Sequence, residues 1–430
     1  MDIRDKIRNK TAQVAIIGLG YVGLPLAVLF AQKGFRVMGI DNDPVKIGLL
    51  RQGRSYIRDV DEKELAPLVA RGQLAATASD EELAEADVII ICVPTPLNEA
   101  REPDITLLRI ALGTSARHLR PGQLVILEST SYPGTTEEIA LPLLEQTGLQ
   151  AGSGFFLAYS PERVDPGNLS YSIENIPKVV SGFTPLCREI AALLYSQVVS
   201  QVVEVSSPKV AEMTKLLENT FRSVNIALVN ELAMVAHQLD IDIWEVIKAA
   251  GTKPFGFMPF YPGPGVGGHC LPVDPIYLAW KAKSQNIYPK LVELASQINC
   301  HMPGYVVDRV AGLLNRSCRP VKGAKILLLG VTYKRDVEDI RESPALEIIS
   351  LLLKKEALVF FHDPYVVRLK VSDKQLDRVA LTSEVVAGQD LVVIVTDHSF
   401  YDYTWLAENA RLIFDTRCAA PPAWDAVVKL

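Results

Sequence analysis

Six cysteines in 430 residues carry no CxxC spacing, which excludes a disulfide framework and a zinc site built on paired cysteines. So few scattered thiols suit a reducing compartment. No apolar run approaches the roughly eighteen residues that span a bilayer, so no membrane partner is expected. The first ten residues, MDIRDKIRNK, are polar and offer no signal-peptide core, so secretion is not expected and a cytoplasmic location is. Basic residues are not in excess either: 44 Lys and Arg stand against 50 Asp and Glu, a formal charge of −6. A nucleic-acid partner calls for a basic stripe, so none is expected. A small anionic ligand stays open, because a few local cations bind phosphate whatever the total charge. Hydrophobic residues at 49% and charged residues at 22% are ordinary for a soluble globular chain, and the length suits two or three domains.

Residues 13–18 (QVAIIG) have the pattern of a buried parallel strand ending in glycine. Gly18-Leu19-Gly20-Tyr21-Val22-Gly23 follows and opens an apolar-periodic helix to about Lys33. A second strand runs from Arg36 to Ile40 and ends at Asp41, and the apolar runs at 87–93 and 123–128 are later strands. This alternation predicts a doubly wound sheet. Ser207-Pro208 supplies an N-cap and a first-turn proline. From there to about residue 239 there is no glycine and no further proline, and apolar positions recur at helical spacing. That segment is one helix of roughly 30 residues, about 45 Å long, a spine that can also pack against a second subunit. A Pro/Gly-rich loop at 251–268 and helices to about 316 come next.

A second α/β unit begins at Lys325, with strands at KILLLG and LVFFHDP, a helix over 344–355, and later strands at 391–398 and 411–417. Asp41-Asn42-Asp43-Pro44 and His362-Asp363-Pro364 end the second strand of each unit, a weak internal duplication. The second unit lacks GxGxxG and suits a nucleotide other than a dinucleotide. The expected fold class is α/β, two Rossmann-like doubly wound domains joined by a long central helix. Residues 1–205 form the dinucleotide domain, 206–316 a central helical domain with a cysteine loop, and 317–430 a C-terminal nucleotide domain.

The glycine motif lies between a strand and a helix, and Asp41 follows its last glycine by 18 residues, the context that a dinucleotide fingerprint requires. Gly18 permits the tight turn, Gly20 lets a pyrophosphate approach the backbone, and Gly23 lets helix and strand pack closely. The helix N-terminus stabilises phosphate charge. An acid at Asp41 accepts from ribose hydroxyls and repels a 2′-phosphate, which favours NAD over NADP. In Gly267-Gly268-His269-Cys270-Leu271-Pro272-Val273-Asp274-Pro275 a cysteine stands among glycines with an acid four residues on. A thiolate there is a nucleophile towards a carbonyl and needs no metal. The other five, Cys92, Cys187, Cys300, Cys318 and Cys418, are expected as small buried hydrophobes.

Over essentially its whole length the chain resembles the UDP-glucose/GDP-mannose dehydrogenase family. The matching segments are GLGYVGLPLA, VPTP, EST at 128–130, SPER, the KLLEN run, GGHCLPVDP, GVTYKRDVEDIRESPA and FHDPYV. The loop TKPFGFMPFYPGPGVGGHC is most similar to that of UDP-N-acetylglucosamine 6-dehydrogenases. The resemblance implies a four-electron, NAD-dependent oxidation of a UDP-sugar 6-hydroxyl to a uronate, a surface-polysaccharide precursor. Cys270 then matches the nucleophile, which forms a thiohemiacetal and next a thioester. Lys215 and Asn219 share one helix face at i, i+4. Lys215 steadies oxyanions and Asn219 holds substrate. Asp274 and Thr130 handle water and protons, and Glu162 assists thioester hydrolysis. Towards NAD, the resemblance implies Gly18, Gly20, Tyr21, Val22, Gly23, Asp41, Lys46, Pro94, Thr95, Ser129, Thr130 and Arg341. Towards the nucleotide sugar it implies Glu162, Arg163, Lys215, Asn219, Tyr261, Gly267, Lys334 and Arg417. No metal is implied, and a homodimer or larger homo-oligomer through the central helix is.

Three departures bear on the substrate. His269 and Val273 replace the serine and lysine of a GGSCxxKD pattern, and Pro166 stands where UDP-glucose enzymes carry a second acid. No arginine that reaches across a dimer is evident, Lys253 being the nearest basic residue. These favour an N-acetylated sugar over plain UDP-glucose. The alternatives are UDP-glucose, UDP-N-acetylmannosamine or UDP-N-acetylgalactosamine as substrate, a two-electron 3-hydroxyacid dehydrogenase, and a non-catalytic dinucleotide sensor.

Overall fold

The computed structural model describes residues 2–57, 59–164, 171–421 and 426–430. The chain divides into two compact units, residues 1–218 with 276–286, and residues 219–275 with 287–430.

The first unit is built on strands β1 (Gln13–Ile17), β2 (Arg36–Ile40), β3 (Leu74–Thr77), β4 (Val88–Ile91), β5 (Leu124–Leu127), β6 (Phe156–Tyr159), β7 (Lys178–Gly182) and β8 (Val202–Glu204). Their order is β3-β2-β1-β4-β5-β6-β7-β8, parallel throughout except between β6 and β7. Successive side chains of a strand point to opposite faces. Val14, Ile16, Val88 and Ile90 accordingly enter one core with the helix Gly23–Gln32. Ala15, Ile89 and Ile91 enter another with Leu108 and Leu112. Burial on both faces explains why β4 and β5 read as unbroken apolar runs. Strand order reverses about β1, and in such sheets the crevice beyond the strand ends at the reversal receives ligands.

The second unit contains β9 (Lys325–Leu329), β10 (Leu358–His362), β11 (Arg368–Val371), β12 (Lys374–Asp377), β13 (Leu391–Ile394), β14 (Ile413–Asp415) and β15 (Val427–Lys429). A parallel sheet runs β10-β9-β13-β14-β15, and β11 and β12 form a separate antiparallel pair. Its two faces are again both buried, Ile326 and Leu328 on one side and Leu327 and Leu329 on the other. The two-sheet, doubly wound architecture expected from the sequence is the one observed. Pro208–Gln238 is a single helix of 31 residues. The strands at 391–398 and 411–417 are shorter than their apolar runs, because residues 396–398 and 416–417 already turn out of the sheet.

The duplication is closer than the motif endings suggest. In the first unit Gly18 N–H donates to Ile40 O at 2.8 Å and Leu19 N–H to Asp41 Oδ2 at 2.9 Å. In the second, Gly330 N–H donates to His362 O at 3.0 Å and Val331 N–H to Asp363 Oδ2 at 2.7 Å. Both glycines have positive φ, 92° and 77°. The copies then diverge. His398 Nε2 lies 3.0 Å from Asp363 Oδ2 and both side chains are fully buried, so the second acid is satisfied inside its own domain.

One expectation needs correction. Cys92 and Cys187 are buried, but Cys300 and Cys318 are exposed and Cys418 is half-buried. Cys300 follows buried Asn299 on the helix Lys290–Arg316 and falls on its outer side. Cys318 closes the turn after that helix with a φ of 54°. Among the described residues no helix is long and apolar enough to cross a membrane, and no group of three His, Cys, Asp or Glu side chains could hold a metal ion.

Candidate active site

In the first unit the glycine turn is fixed by close approach. A Cβ on Gly18 would sit 2.7 Å from Cys92 O, and one on Gly23 would sit 1.8 Å from Gly18 O. At Gly20 nothing among the described residues lies within 4 Å of the added carbon. The protein therefore does not itself use the space at Gly20, which suits a pyrophosphate lying against the backbone. Tyr21 and Val22 are half-buried. Val22 caps the helix Gly23–Gln32 without a side-chain hydrogen bond, so the positive end of that helix is not capped by a side chain.

Asp41 is buried and engaged. Its Oδ2 accepts from Leu19 N–H and, at 3.0 Å, from Lys46 Nζ; its Oδ1 accepts from Asp43 N–H at 3.0 Å. Burial pushes the carboxyl up, but these donors outweigh it and hold Asp41 below the usual carboxylate range. Oδ1 retains acceptor capacity for a ribose hydroxyl. Tyr56, which the sequence did not single out, donates to Leu19 O at 2.6 Å and braces the turn. At the ends of β4 and β5, Ser129 Oγ donates to Val93 O at 2.8 Å and Tyr277 Oη to Thr95 O at 3.0 Å. Pro94 is exposed and Thr130 half-buried beside them. The open Gly20 face, the helix end without a side-chain cap and the ionised acid together fit a dinucleotide such as NAD.

Behind this turn lies a buried ionic cluster with no signature in sequence. Lys178 Nζ donates to Glu128 Oε2 at 2.7 Å, and Tyr195 Oη donates to Glu128 Oε1. Lys178, Glu128, Val22, Leu26, Arg163 and Glu162 line part of one small pocket. Lys215 Nζ donates to Glu162 O at 2.5 Å and stands 3.8 Å from Glu162 Oε2. Burial raises the Glu162 carboxyl above the ordinary range, against the opposing pull of Lys215 and then Lys178. A carboxyl poised this way is suited to proton transfer. Arg163 pairs with Glu218 at 2.7 Å and donates to Pro177 O at 2.6 Å. Pro166 lies outside the described residues.

In the second unit Cys270 is half-buried in the turn before the helix Asp274–Lys283. Its carbonyl accepts from Val273 N–H at 3.0 Å and Asp274 N–H at 2.8 Å. Asp274 is buried, and Asn219 Nδ2 donates to its Oδ2. The cysteine loop is laid on the 333–344 segment. Gly268 N–H donates to Arg341 O at 3.0 Å, and a Cβ on Gly267 would sit 2.7 Å from both Glu342 O and Tyr333 Cβ. His269 is exposed. Arg417 donates through Nε to Val395 O at 2.8 Å, and its backbone N–H donates to Asp415 Oδ1. Lys334 is half-buried, with its carbonyl accepting from Thr332 Oγ1 at 3.0 Å. Tyr261 is 56% exposed and stacks on Trp244 at 6.0 Å between centroids. Arg341 folds back onto Asp339 with a contact of 2.6 Å. Lys253 is exposed, its ammonium 5.0 Å from the Phe255 ring.

The geometry therefore groups the expected residues into three sets: the dinucleotide turn, Lys215 with Glu162, and Cys270–Asp274–Asn219. Family models agree along the chain. Those for the NAD binding, central and UDP binding domains of the UDP-glucose/GDP-mannose dehydrogenase family match residues 12–199, 209–301 and 327–422. A UDP-N-acetyl-D-glucosamine 6-dehydrogenase of Pseudomonas aeruginosa is 42% identical over 83% of this chain and 84% of its own. A UDP-N-acetyl-D-mannosamine dehydrogenase of Pyrococcus horikoshii is 37% identical over 91% of each. The solved structure of the Pyrococcus horikoshii UDP-D-ManNAc dehydrogenase aligns over 97% of this chain and 98% of that one, with a TM-score of 0.88 and 34% identity.

Proposed function

The chain belongs to the UDP-glucose/GDP-mannose dehydrogenase family of NAD-dependent oxidoreductases, and on that premise we propose that it oxidises the 6-hydroxyl of UDP-N-acetylglucosamine to the uronate through a thioester on Cys270. The observation that carries the proposal is the grouping of Cys270, Asp274 and Asn219 on one short segment and one helix, with the cysteine in a glycine-lined turn.

The Gly18–Gly23 turn would hold two NAD molecules in succession, each supplying the two-electron acceptor for one of two oxidations. Asp274 takes the hydroxyl proton through a bound water in the first. Cys270 sulfur then bonds to carbon 6 of the aldehyde, and the carbonyl oxygen takes a proton to give a thiohemiacetal. That adduct then loses its carbon 6 hydrogen with two electrons, and its hydroxyl proton to the water beside Asp274, which leaves a thioester on Cys270. Water attacks the thioester with Glu162 taking its proton, the carbon–sulfur bond breaks, and the thiol regains a proton as the uronate leaves. Lys215 offsets the negative charge that develops on oxygen at each stage, and Thr130 orders the water. Lys334, Arg417 and Tyr261 bind the nucleotide sugar.

The choice of an N-acetylated sugar is supported by His269 and Val273 in the cysteine loop and by the names of the similar proteins above. Reaction with UDP-N-acetylglucosamine is expected to yield two NADH per sugar, at a kcat/KM at least about tenfold above that for UDP-glucose or the mannosamine and galactosamine epimers. One NADH per sugar would reject the thioester route, and a different best substrate would reject only the sugar assignment.

Self-association is a further part of the proposal. Val210, Met213, Leu217, Phe221, Leu228, Leu232, Val235 and Leu239 are 38–64% exposed. At about 100° per residue they fall in one stripe about 100° wide along the long helix. A continuous apolar stripe of this kind marks a protein contact, and a second copy, related by a twofold axis, is the commonest occupant. Leu228→Glu is expected to halve the mass in light scattering. An unchanged mass would place the contact elsewhere.

A further inference from the structure

The loop that carries Tyr261 changes character at one residue. Positions 251–259 and 261 are exposed, whereas Pro262, Gly263 and Pro264 are buried. Proline has no N–H, so Gly263 holds the only backbone donor of those three. That N–H donates to Asn230 Oδ1 at 2.9 Å. Asn230 Nδ2 donates to Asn299 Oδ1 at 3.0 Å, and Asn299 Nδ2 donates to Ser223 O at 3.0 Å. Asn230 and Asn299 are 0% and 2% exposed. A backbone N–H at one end can only donate and a backbone carbonyl at the other can only accept, so both amides are locked in a single orientation. The far side of Gly263 abuts the nucleotide residue. A Cβ there would sit 2.8 Å from Arg417 Nη1, while Arg417 Nε is turned inward to Val395 O.

We propose that Asn230 is a positioning residue for the nucleotide sugar: through Gly263 it holds the 262–264 segment against the Arg417 guanidinium, and Asn299 fixes the sense of that hold. This rests on the reading that Arg417 and the 255–265 loop receive the nucleotide. An interior amide pair with no role beyond stability would leave ligand affinity proportional to folding alone, and that is the alternative to be separated.

The probes are UDP and NAD, titrated separately by calorimetry into the full chain, with a thermal midpoint recorded for each variant. Asn230→Leu leaves the Gly263 N–H without an acceptor. It is expected to weaken UDP about tenfold while NAD stays within about twofold. Asn230→Asp keeps an oxygen for Gly263 but sets a carboxyl opposite Asn299 Oδ1. It is expected to cost as much in thermal midpoint as Asn230→Leu yet to weaken UDP by less than about threefold. If Asn230→Leu does not fold, Asn230→Ser, which withdraws from Gly263 without adding bulk, carries the same expectation. UDP affinity unchanged in the leucine or serine variant, or falling in step with the thermal midpoint in all of them, overturns the proposal. Arg417→Met tests the underlying reading. If it leaves UDP binding intact, the nucleotide site is elsewhere and both ideas fall. If it abolishes binding while the Asn230 variants are silent, only the positioning role falls.

Discussion

Cys270→Ser is expected to lower steady-state uronate formation by a factor on the order of 10³ or more, with the fold and the affinities for UDP and NAD within about twofold of the unsubstituted chain. The substitution exchanges one atom on a half-buried side chain. The turn around it is held through the Cys270 carbonyl, which accepts from Val273 and Asp274 N–H. The geometry of the loop therefore survives and the chemistry alone is altered. The thiolate is a strong nucleophile towards a carbonyl, and a thiol gives up its proton far more readily than a hydroxyl. A serine hydroxyl forms no comparable anion and is a far weaker nucleophile towards an aldehyde. A serine adduct would also be an ordinary ester, which water cleaves less readily than a thioester. Rapid mixing with UDP-N-acetylglucosamine, following NADH and uronate together, reads the result. Uronate released by the serine variant at the original rate would refute covalent capture, whereas loss of UDP or NAD affinity in parallel would mean that the loop itself had collapsed.

The parts of this molecule that were legible in sequence are those governed by short-range rules. Gly18, Gly20 and Gly23 announce a turn in which Gly18 takes a positive φ and Gly23 a close approach that admits no side chain, and Asp41 follows at the distance that one helix and one strand impose. The long helix was legible because nothing in 209–238 breaks helical periodicity. What escaped notice depends on pairings that only the topology brings about. Lys178 and Glu128 are 50 residues apart, Asn230 and Asn299 are 69 apart, and His398 and Asp363 are 35 apart. Each is an ordinary polar residue in its local context. Its burial becomes tolerable only when the partner arrives, since a buried polar group without one is costly. Cys300 and Cys318 show the same limit from the other side. The apolar character of a thiol suggested an interior place, but the phase of one helix and the turn after it put both outside.

Gly23→Ala is expected to remove NAD binding and to destabilise the first unit together, and Gly20→Ala separates the two effects. The alanine carbon at 23 would lie 1.8 Å from Gly18 O, 3.0 Å from Gly18 C and 3.3 Å from Cys92 Cβ. None of these neighbours can move aside cheaply. Gly18 is held at φ 92° with its N–H on Ile40 O, and Cys92 is buried at the end of β4. The helix cannot retreat either, because eight of its ten residues, Gly23, Leu24 and Leu26–Ala31, are buried in the core. Overpacking a site this rigid costs about 1–3 kcal/mol or more, which lowers the thermal midpoint by several degrees in a domain of this size. The displaced turn should weaken NAD by at least about a hundredfold, since the backbone donors then miss the pyrophosphate. At Gly20 the added carbon meets no atom of the described residues within 4 Å, so Gly20→Ala should melt within about a degree of the unsubstituted chain and still lose NAD affinity, because the methyl occupies the ground a phosphate needs. UDP affinity, which belongs to the second unit, should survive both changes. Calorimetric titration of each ligand beside a thermal scan distinguishes the cases, and NAD affinity retained in Gly20→Ala would remove the pyrophosphate from this turn.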